Sequence, residues 1–457
     1  MVESTKLCHV AAIPHPGRGH INPLLSLCKT MAQKNPNNLQ ITFIVTEEWR
    51  GLLCGSSSYE SPPTPANMRF ATIPNVLPAE KGRGADMMGF MKAVMTKMAQ
   101  PVEQVLDGFE PPVQLVIADT LLFWVVEMGN QRNIPVASFW PMSASMFSLL
   151  YHFDFLLERS LDIPAQLPDE HRIDYIPGIS PICIGDLPYG LSQEYKSKLS
   201  ELQLLQGLSM IEKAHCLLFR TIPELEVQAI RALKSKLPIP IYTIGPCIPL
   251  SSLDNTNDQP SYMAWLDSQP QKSVLYVSLG TVMPVSGHEV NQLAAGLRDS
   301  GVPFLWVSRE ETVKLDGGPG DKGMVVPWCD QMRVLAHGSV GGFLTHCGWN
   351  SVLEAVFMGV PMITFPLVFD QKANGKLIVE EWGVGWRGKS NIAVQNSLIN
   401  RETVAGVVKR FMDLETDERQ ALERKCKEVT ETARTAIARG GSAEAGLDEF
   451  LTCVLKT

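Results

Sequence analysis

Short apolar runs rich in β-branched residues alternate with longer segments of helical periodicity through both halves of this chain. That alternation is typical of parallel sheets covered by helices. In the N-terminal half it predicts strands at 10–14, 41–45, 115–118 and 134–139. In the C-terminal half it predicts strands at 273–279, 304–308, 324–327, 341–345 and 361–365. We therefore expect an α/β protein with two facing, doubly wound parallel-sheet domains and a cleft between them.

The length of 457 residues exceeds what one ordinary hydrophobic core accommodates. Residues 246–262 are rich in Pro, Ser, Asn and Asp and are predicted to form an inter-domain linker. This places an N-terminal domain at 1–245 and a C-terminal domain at 263–435. Residues 436–457 are predicted to form a C-terminal helix that packs back on the N-terminal domain.

Composition narrows the classes of function. A net charge of −8 without a basic cluster argues against a nucleic-acid surface. None of the ten cysteines forms a Cys-x-x-Cys pair, so free thiols are expected in place of a zinc or redox site. No apolar run approaches the ~18 residues of a membrane-spanning helix. We expect a reduced, cytoplasmic, monomeric protein without a membrane span.

Two polar residues follow predicted strands of the N-terminal half. His20 ends a Gly-rich turn, after which Asn22 and Pro23 suggest the N-cap and first residue of a helix. Asp119 directly follows the strand at 115–118. Since parallel sheets bind ligands beyond the carboxyl ends of their strands, both residues fall on the functional edge. The alternatives are that His20 is an ordinary polar loop residue and that Asp119 is the N-cap of a helix starting near Leu121.

Residues 328–371 contain the densest concentration of unusual side chains. The strand at 341–345 runs into 346–351, and a helix follows immediately. Backbone amides and the dipole at such a helix start form an anion site suited to a diphosphate.

Four side chains follow neighbouring strands of the same half. Trp328 offers an indole that can stack on a base, and Gln331 offers an amide that can pair with a base edge. Asp370 and Gln371 offer acceptors and donors for sugar hydroxyls. Together with the diphosphate site, they predict binding of a nucleotide and a sugar.

Residues 328–371 resemble the donor-binding signature of plant family-1 glycosyltransferases, which use uridine-diphosphate sugars. The stretches PHPGRGHINPLL, VIADTLLFW and SVLYVSLGT resemble other motifs of that family, so the resemblance covers the whole chain. It implies the GT-B fold, UDP-glucose as co-substrate and no further cofactor. It also implies donor contacts from Gly280, Thr281, Trp328, Gln331, His346, Gly348, Trp349, Asn350, Ser351, Glu354, Asp370 and Gln371.

Individual roles follow from the same resemblance. Trp328 would stack on uracil, Glu354 would hold the ribose hydroxyls, and Gln371 at the end of the signature is associated with glucose. The alternative for Glu354 is a capping box with Ser351, in which it only satisfies a backbone N–H group. The chain departs from the family pattern at Cys329-Asp330, where Ala-Pro is common, and at Phe365, where Trp is common.

The implied chemistry is inverting transfer. A phenol or alcohol has a pKa of ~10 or higher, so a base of pKa ~6.5 must take its proton as it attacks. His20 stands in the position of that base, and Asp119 would accept its other N–H group. The sequence shows no Asp-x-Asp metal motif, so we expect helix amides and neutral donors to meet the charge of the leaving diphosphate without a metal.

Two rival functions and an acceptor pocket complete the predictions. A nicotinamide-dependent dehydrogenase fits the fold class, but the first turn lacks the third Gly of its fingerprint. A non-catalytic binder of a sugar nucleotide or hormone would not require His20 and Asp119. The acceptor pocket is predicted at Phe123, Trp140 and Phe369, and it suits a hydroxyl or carboxyl group on a flavonoid, phenolic or terpenoid.

Overall fold

The computed structural model describes residues 7–54, 64–80, 86–160, 170–187, 204–248, 250, 253, 259–280, 286–308, 321–388 and 400–455. The chain divides into two compact units. The first contains Met1–Ile184, Tyr189–Ile248 and Ala436–Thr457, and the second contains Gly185–Pro188 and Pro249–Thr435. Of the predicted linker 246–262, residues 249, 251, 252 and 254–258 lie outside the described ranges.

The strands of the first unit form a parallel sheet and a small antiparallel hairpin. They are β1 (Cys8–Ile13), β2 (Leu39–Thr46), β3 (Met68–Ile73), β4 (Leu115–Asp119), β5 (Val136–Trp140), β6 (Arg172–Ile173), β7 (Ile182–Cys183), β8 (Cys216–Phe219) and β9 (Ile241–Thr243). The parallel sheet has the order β3-β2-β1-β4-β5-β8-β9, and β6 pairs with β7.

The second unit contains a second parallel sheet. Its strands are β10 (Val274–Ser278), β11 (Phe304–Val307), β12 (Gly323–Val326), β13 (Val340–Thr345), β14 (Met362–Thr364) and β15 (Gly385–Arg387). Their order is β12-β11-β10-β13-β14-β15. The prediction of two doubly wound parallel sheets is thus confirmed.

Helices connect the strands of both units. In chain order the described ones are α1 (Arg18–Lys34), α2 (Glu47–Cys54), α3 (Met87–Lys97), α4 (Ala99–Asp107), α5 (Trp124–Gln131), α6 (Ala144–Tyr151), α7 (Phe153–Ser160), α8 (Leu204–Ile211), α9 (Val227–Lys236), α10 (Ser261–Asp267), α11 (Gly287–Asp299), α12 (Gln331–Leu335), α13 (Trp349–Met358), α14 (Gln371–Lys376), α15 (Arg401–Met412), α16 (Asp417–Ile437) and α17 (Ser442–Leu455). Across these ranges no helix is both long and apolar enough to cross a bilayer.

Burial explains why the central strands read as continuous apolar runs. All residues of β1 are buried. Val10 and Ala12 pack into one hydrophobic cluster, whereas Ala11 and Ile13 pack into another. Because side chains alternate between the two faces of a strand, this division means that both faces of the sheet are covered.

The last helix, α17, belongs to the first unit and packs beside β9. Gly446 of this helix lies so close to the strand that a Cβ atom there would stand 2.3 Å from the carbonyl oxygen of Thr243. Leu447, Phe450 and Leu451 contribute to the same hydrophobic cluster as β1 and β2. The apolar face of α17 is therefore part of the core of the first unit.

Candidate active site

Both sheets reverse their strand order at one pair of neighbours. The reversal lies between β1 and β4 in the first unit and between β10 and β13 in the second. Since the connections on either side leave in opposite directions, a crevice opens there at the carboxyl ends of the strands. The predicted site residues of each unit should therefore lie close to these two points.

In the first unit the reversal brings His20 and Asp119 together. His20 lies in the first turn of α1, after β1, and Asp119 is the last residue of β4. The Nδ1 atom of His20 lies 2.7 Å from Oδ2 of Asp119. The Asp119 side chain is completely buried, whereas that of His20 is 21% exposed. A solvent-accessible imidazole is thus held by a carboxylate that solvent cannot reach.

The start of α1 differs from the sequence prediction. The helix begins at Arg18, with Gly17 as N-cap, and Pro23 lies inside it. The N–H groups of His20 and Ile21 already donate to the carbonyl of Gly17 at 2.9 and 2.8 Å, so the first turn is wound before Asn22. The predicted N-cap at Asn22 is wrong, and His20 sits on a helix and not in a loop.

Asp119 does not cap a helix. The next helix, α5, begins at Trp124, so the alternative of an N-cap at Asp119 is wrong. The Oδ1 atom of Asp119 instead accepts the backbone N–H of Leu121 at 3.0 Å, while its Oδ2 atom faces His20. Because Asp119 engages Nδ1, the ring of His20 can exchange a proton with a ligand only through Nε2.

In the second unit the reversal brings Gly280 beside His346. A Cβ atom at Gly280, whose φ is +80°, would lie 2.7 Å from the imidazole of His346, and one at Gly348 would lie 2.4 Å from it. Only glycine therefore leaves room for this ring. Burial lowers the pKa of His346 to about 4, so the ring is neutral at physiological pH and offers a ligand a hydrogen bond and no positive charge. Thr281 lies outside the described residues.

Helix α13 starts directly after Gly348. Gly348 is its N-cap, and the first intrahelical hydrogen bond runs from Val352 N–H to the Gly348 carbonyl. Trp349, Asn350 and Ser351 occupy the first turn, where the positive end of the helix dipole lies. The capping-box alternative for Glu354 is wrong, because Ser351 lies within the helix and Gly348 caps it.

Glu354 instead bonds to Gln331. The Nε2 atom of Gln331 donates to Oε2 of Glu354 at 2.7 Å and to Oγ of Ser351 at 2.9 Å, and its Oε1 accepts the hydroxyl of Tyr276 at 3.1 Å. Trp328 follows β12 and is partly exposed. Sequence reasoning missed Tyr276, which reads as an ordinary core position of its strand.

Asp370 and Gln371 are both buried at the start of α14. Asn374 Nδ2 donates to Oδ2 of Asp370 at 2.7 Å and to the carbonyl of Cys347 at 3.0 Å, which joins the loops after β13 and β14. Oε1 of Gln371 accepts the backbone N–H groups of Leu367 and Val368 at 2.8 and 2.9 Å. These two bonds fix the orientation of the Gln371 amide against the loop after β14.

The three predicted acceptor-pocket residues have different surroundings. Phe123 is partly exposed and packs against Gly207, where a Cβ atom would lie 2.3 Å from its ring. Phe369 is 44% exposed and has a φ of +54°. Trp140 is completely buried, and its Nε1 donates to the carbonyl of Ser143 at 2.8 Å. Trp140 is therefore a core residue of the first unit and presents no surface to a ligand.

No three His, Cys, Asp or Glu side chains in the described ranges cluster in a way that could hold a metal ion.

Sequence comparison identifies the family. A family model described as UDP-glucoronosyl and UDP-glucosyl transferase matches residues 212–413. The chain is 44% identical over 453 residues to UDP-glycosyltransferase 87A2 of Arabidopsis thaliana, covering 98% of this chain and 97% of that relative. The chain belongs to the plant family-1 UDP-glycosyltransferases. It is therefore an enzyme that transfers glycosyl groups to small acceptors, which excludes the dehydrogenase and the non-catalytic binder.

Solved structures of this family share the fold. The chain is 25% identical to a Medicago truncatula UDP-glycosyltransferase, UGT71G1, complexed with UDP-glucose, with a TM-score of 0.81 and 100% coverage of both chains. It is also 25% identical to Phytolacca americana UGT2 complexed with UDP-2-fluoro-glucose and pterostilbene, with a TM-score of 0.80 and coverage of 98% and 99%. The predicted GT-B fold is confirmed.

Proposed function

We propose that this glycosyltransferase transfers glucose from UDP-glucose, with inversion, to a hydroxyl or carboxyl group of a small apolar acceptor such as a flavonoid, phenolic or terpenoid. The observation that carries the proposal is the hydrogen bond of 2.7 Å between His20 and the buried Asp119 at the strand-order reversal of the first unit. Transfer to a neutral hydroxyl needs a base, and simple binding does not.

His20 serves as the base through Nε2. Asp119 accepts the Nδ1–H group, which leaves the lone pair on Nε2. As the acceptor oxygen forms its bond to the anomeric carbon, its proton moves to Nε2. The bond from the anomeric carbon to the diphosphate oxygen breaks, and UDP leaves with the electron pair. The buried carboxylate of Asp119 stabilises the imidazolium until it releases the proton.

The second unit holds the donor in this proposal. Trp328 stacks on uracil, with Gln331 and Glu354 near the base and ribose. His346 and the first turn of α13 receive the diphosphate, with Gly280 and Thr281 beside them, and Asp370 and Gln371 bind the sugar. The hydrogen bonds from Gln331 to Glu354 and Ser351 support this assignment, because they join the residues assigned to the base and ribose to the helix start assigned to the diphosphate.

Preference for glucose is assigned to Gln371. Its Oε1 is occupied by two backbone N–H groups, so the orientation of its amide is fixed and Nε2 is presented as a donor. UDP-glucose in the Medicago neighbour and the glucose analogue in the Phytolacca neighbour support the same sugar. Pterostilbene in the latter supports an aromatic acceptor.

We expect the rate with UDP-glucose to exceed that with UDP-galactose by about ten-fold or more, since the two sugars differ in the orientation of the 4-hydroxyl and each hydrogen bond to it is worth on the order of 1 kcal/mol. The measurement is a panel of phenolic, flavonoid and terpenoid acceptors incubated with each donor and read by mass spectrometry. Gln371→His should narrow the ratio between the two donors, whereas Gln420→His, at an exposed position of α16, should not. Equal rates with both donors in the wild type would contradict the glucose assignment.

We also expect transfer to proceed without a divalent metal. The neutral imidazole of His346 and the backbone N–H groups at the start of α13 supply hydrogen-bond donors for the leaving diphosphate, and the helix dipole adds to their effect. Such preorganised donors stabilise the developing negative charge without a metal ion. Excess chelator should leave kcat within about two-fold of its value without chelator, and added magnesium should not raise it. Activity that disappears with chelator and returns with magnesium would show that a metal meets the charge.

A further inference from the structure

A buried tyrosine lies beneath the proposed uridine site of the second unit. Tyr276 stands in the middle of β10 and is 1% exposed. Its ring stacks on Phe343 of the neighbouring strand, with centroids 4.8 Å apart and ring planes at 26°. Tyr276 and Phe343 are also register partners across the sheet. The position of the phenol hydroxyl is therefore fixed by the sheet and by the stack.

That hydroxyl begins a chain of hydrogen bonds towards the proposed ribose contact. It lies 3.1 Å from Oε1 of Gln331 and 3.4 Å from Sγ of Cys329. The Nε2 atom of Gln331 in turn lies 2.7 Å from Oε2 of Glu354. Four side chains from three separate stretches of the chain are thus linked in series.

The chemistry of the groups fixes the direction of each bond. An ionised Glu354 can only accept, so the amide nitrogen of Gln331 must face it and Oε1 must face Tyr276. Tyr276 must then donate its O–H to Oε1, and its oxygen can accept the S–H of Cys329. Burial raises the pKa of Tyr276 well above its usual value and that of Cys329 to about 12, so both groups keep their protons at neutral pH.

We propose that Tyr276 is a positioning residue for nucleotide recognition, whose hydroxyl fixes the amide of Gln331 and, through it, the carboxylate of Glu354 towards the nucleoside of the donor. This inference rests on the proposed donor contacts of Gln331 and Glu354. Without the Tyr276 hydroxyl, Oε1 of Gln331 loses its donor, and the amide is held only through Nε2. Glu354 still selects the amide nitrogen, but a side chain bonded at one end only can change its rotamer and take the carboxylate with it.

The departure of this chain from the family pattern at Cys329-Asp330 adds contacts to the same hydrogen-bonded region. Cys329 supplies the sulfur beside Tyr276, which alanine would not. The backbone N–H of Asp330 donates to the hydroxyl of Tyr262 at 3.1 Å, a bond that proline could not make. The Asp330 side chain caps α12 by accepting the N–H of Arg333 at 3.2 Å. Two tyrosines thus anchor the loop that follows Trp328.

The test is Tyr276→Phe, which keeps the aromatic stack and removes only the hydroxyl. We expect the Kd for UDP, measured by calorimetry, to rise roughly five- to ten-fold, the size of one hydrogen bond. At saturating UDP-glucose, kcat should change by less than about two-fold, because the lost contact acts on the nucleotide and not on the reacting atoms. A general loss of stability would instead lower the Tm, and it would not raise the Kd for UDP while leaving kcat unchanged.

A double-mutant cycle with Gln331→Ala decides whether Tyr276 acts through Gln331. In the Gln331→Ala background, Tyr276→Phe should leave the Kd for UDP unchanged, because its target has gone. Tyr242→Phe is the matched control, since Tyr242 is a buried phenol of the first unit that packs against Phe450, and it should not alter UDP binding.

Three results would overturn the inference. The first is an unchanged Kd in Tyr276→Phe, and the second is an equal loss in both backgrounds. The third is unaltered UDP binding in Gln331→Ala, which would also remove the donor assignment of that residue. If UDP binding follows the expected pattern but glucose transfer is absent, the proposed reaction fails and the role of Tyr276 stands.

Discussion

His20→Ala should lower kcat by about 1,000-fold or more while the Kd for UDP stays within about two-fold of the wild-type value. General-base catalysis contributes in this range, and the variant removes the imidazole that Asp119 holds at 2.7 Å. Donor binding should persist because the proposed donor contacts all lie in the second unit, whereas His20 lies in the first. Steady-state kinetics on a phenolic acceptor and calorimetry with UDP provide the two measurements.

His288→Ala is the matched control for this variant. His288 is exposed on α11 and is not among the predicted site residues. It should leave both kcat and the Kd for UDP unaltered. Near-normal turnover by His20→Ala would remove His20 as the base, and a parallel loss of UDP binding would show that the substitution disturbs more than proton transfer.

The sequence predicts the central strands well because their burial makes them continuous apolar runs. Each of the nine strands predicted from apolar runs corresponds to an observed strand, with ends that shift by one or two residues. These strands lie inside parallel sheets, where both faces are covered and nearly every side chain must be apolar. Their alternation with helical segments is sufficient to give the doubly wound class.

The strands that sequence reasoning missed are short or lie at sheet edges. β3 and β15 are edge strands, and β3 is buried at its two ends but partly exposed between them. β8 and β9 are also short, with four and three residues. Their pairing depends on neighbours that are distant in sequence, so local patterns carry little information about them.

Helix starts show the limit of local capping signals. Ser351 and Glu354 have the spacing of a capping box, yet α13 already begins at Trp349 after Gly348. Asn22 and Pro23 likewise look like a helix start, although α1 begins at Arg18. In both places only a short connection separates the helix from the preceding strand, since β1 ends at Ile13 and β13 at Thr345. This tertiary constraint outweighs the side-chain preference.

For the candidate site, the sequence predicts which residues belong together but not their contacts. The reversal of strand order places His20 beside Asp119, a pairing that residue patterns alone left open. Trp140 was predicted to line the acceptor pocket as one of its apolar and aromatic residues, but it is completely buried in the core. Tyr276 shows the converse, since an apolar strand pattern conceals a polar group that touches Gln331.

Asp119→Asn should lower kcat by about 100- to 10,000-fold, although it changes only one atom of the side chain. The reason lies in the two bonds of Asp119. Oδ1 accepts the backbone N–H of Leu121 at 3.0 Å, so the oxygen of an asparagine must occupy that place. Its amide nitrogen then faces His20 and donates to Nδ1 where the carboxylate accepted.

That exchange reverses the tautomer of His20. With Nδ1 accepting a hydrogen bond, the ring proton moves to Nε2, and the nitrogen that should take the acceptor proton no longer has a lone pair. NMR of labelled histidine should show the Nε2–H tautomer in the variant, and the Kd for UDP should stay at the wild-type value. Asp448→Asn, at an exposed position of α17 in the same unit, is the matched control and should retain full activity.

The double variant His20→Ala, Asp119→Asn separates this mechanism from a general loss of structure. If Asp119 acts only through His20, the double variant should be no slower than His20→Ala alone, because residues that act as a unit are not additive. A further drop of about ten-fold or more in the double variant would mean that Asp119 contributes independently of the imidazole. Asp119→Asn that keeps kcat within about ten-fold of the wild-type value would show that the tautomer of His20 does not control the reaction.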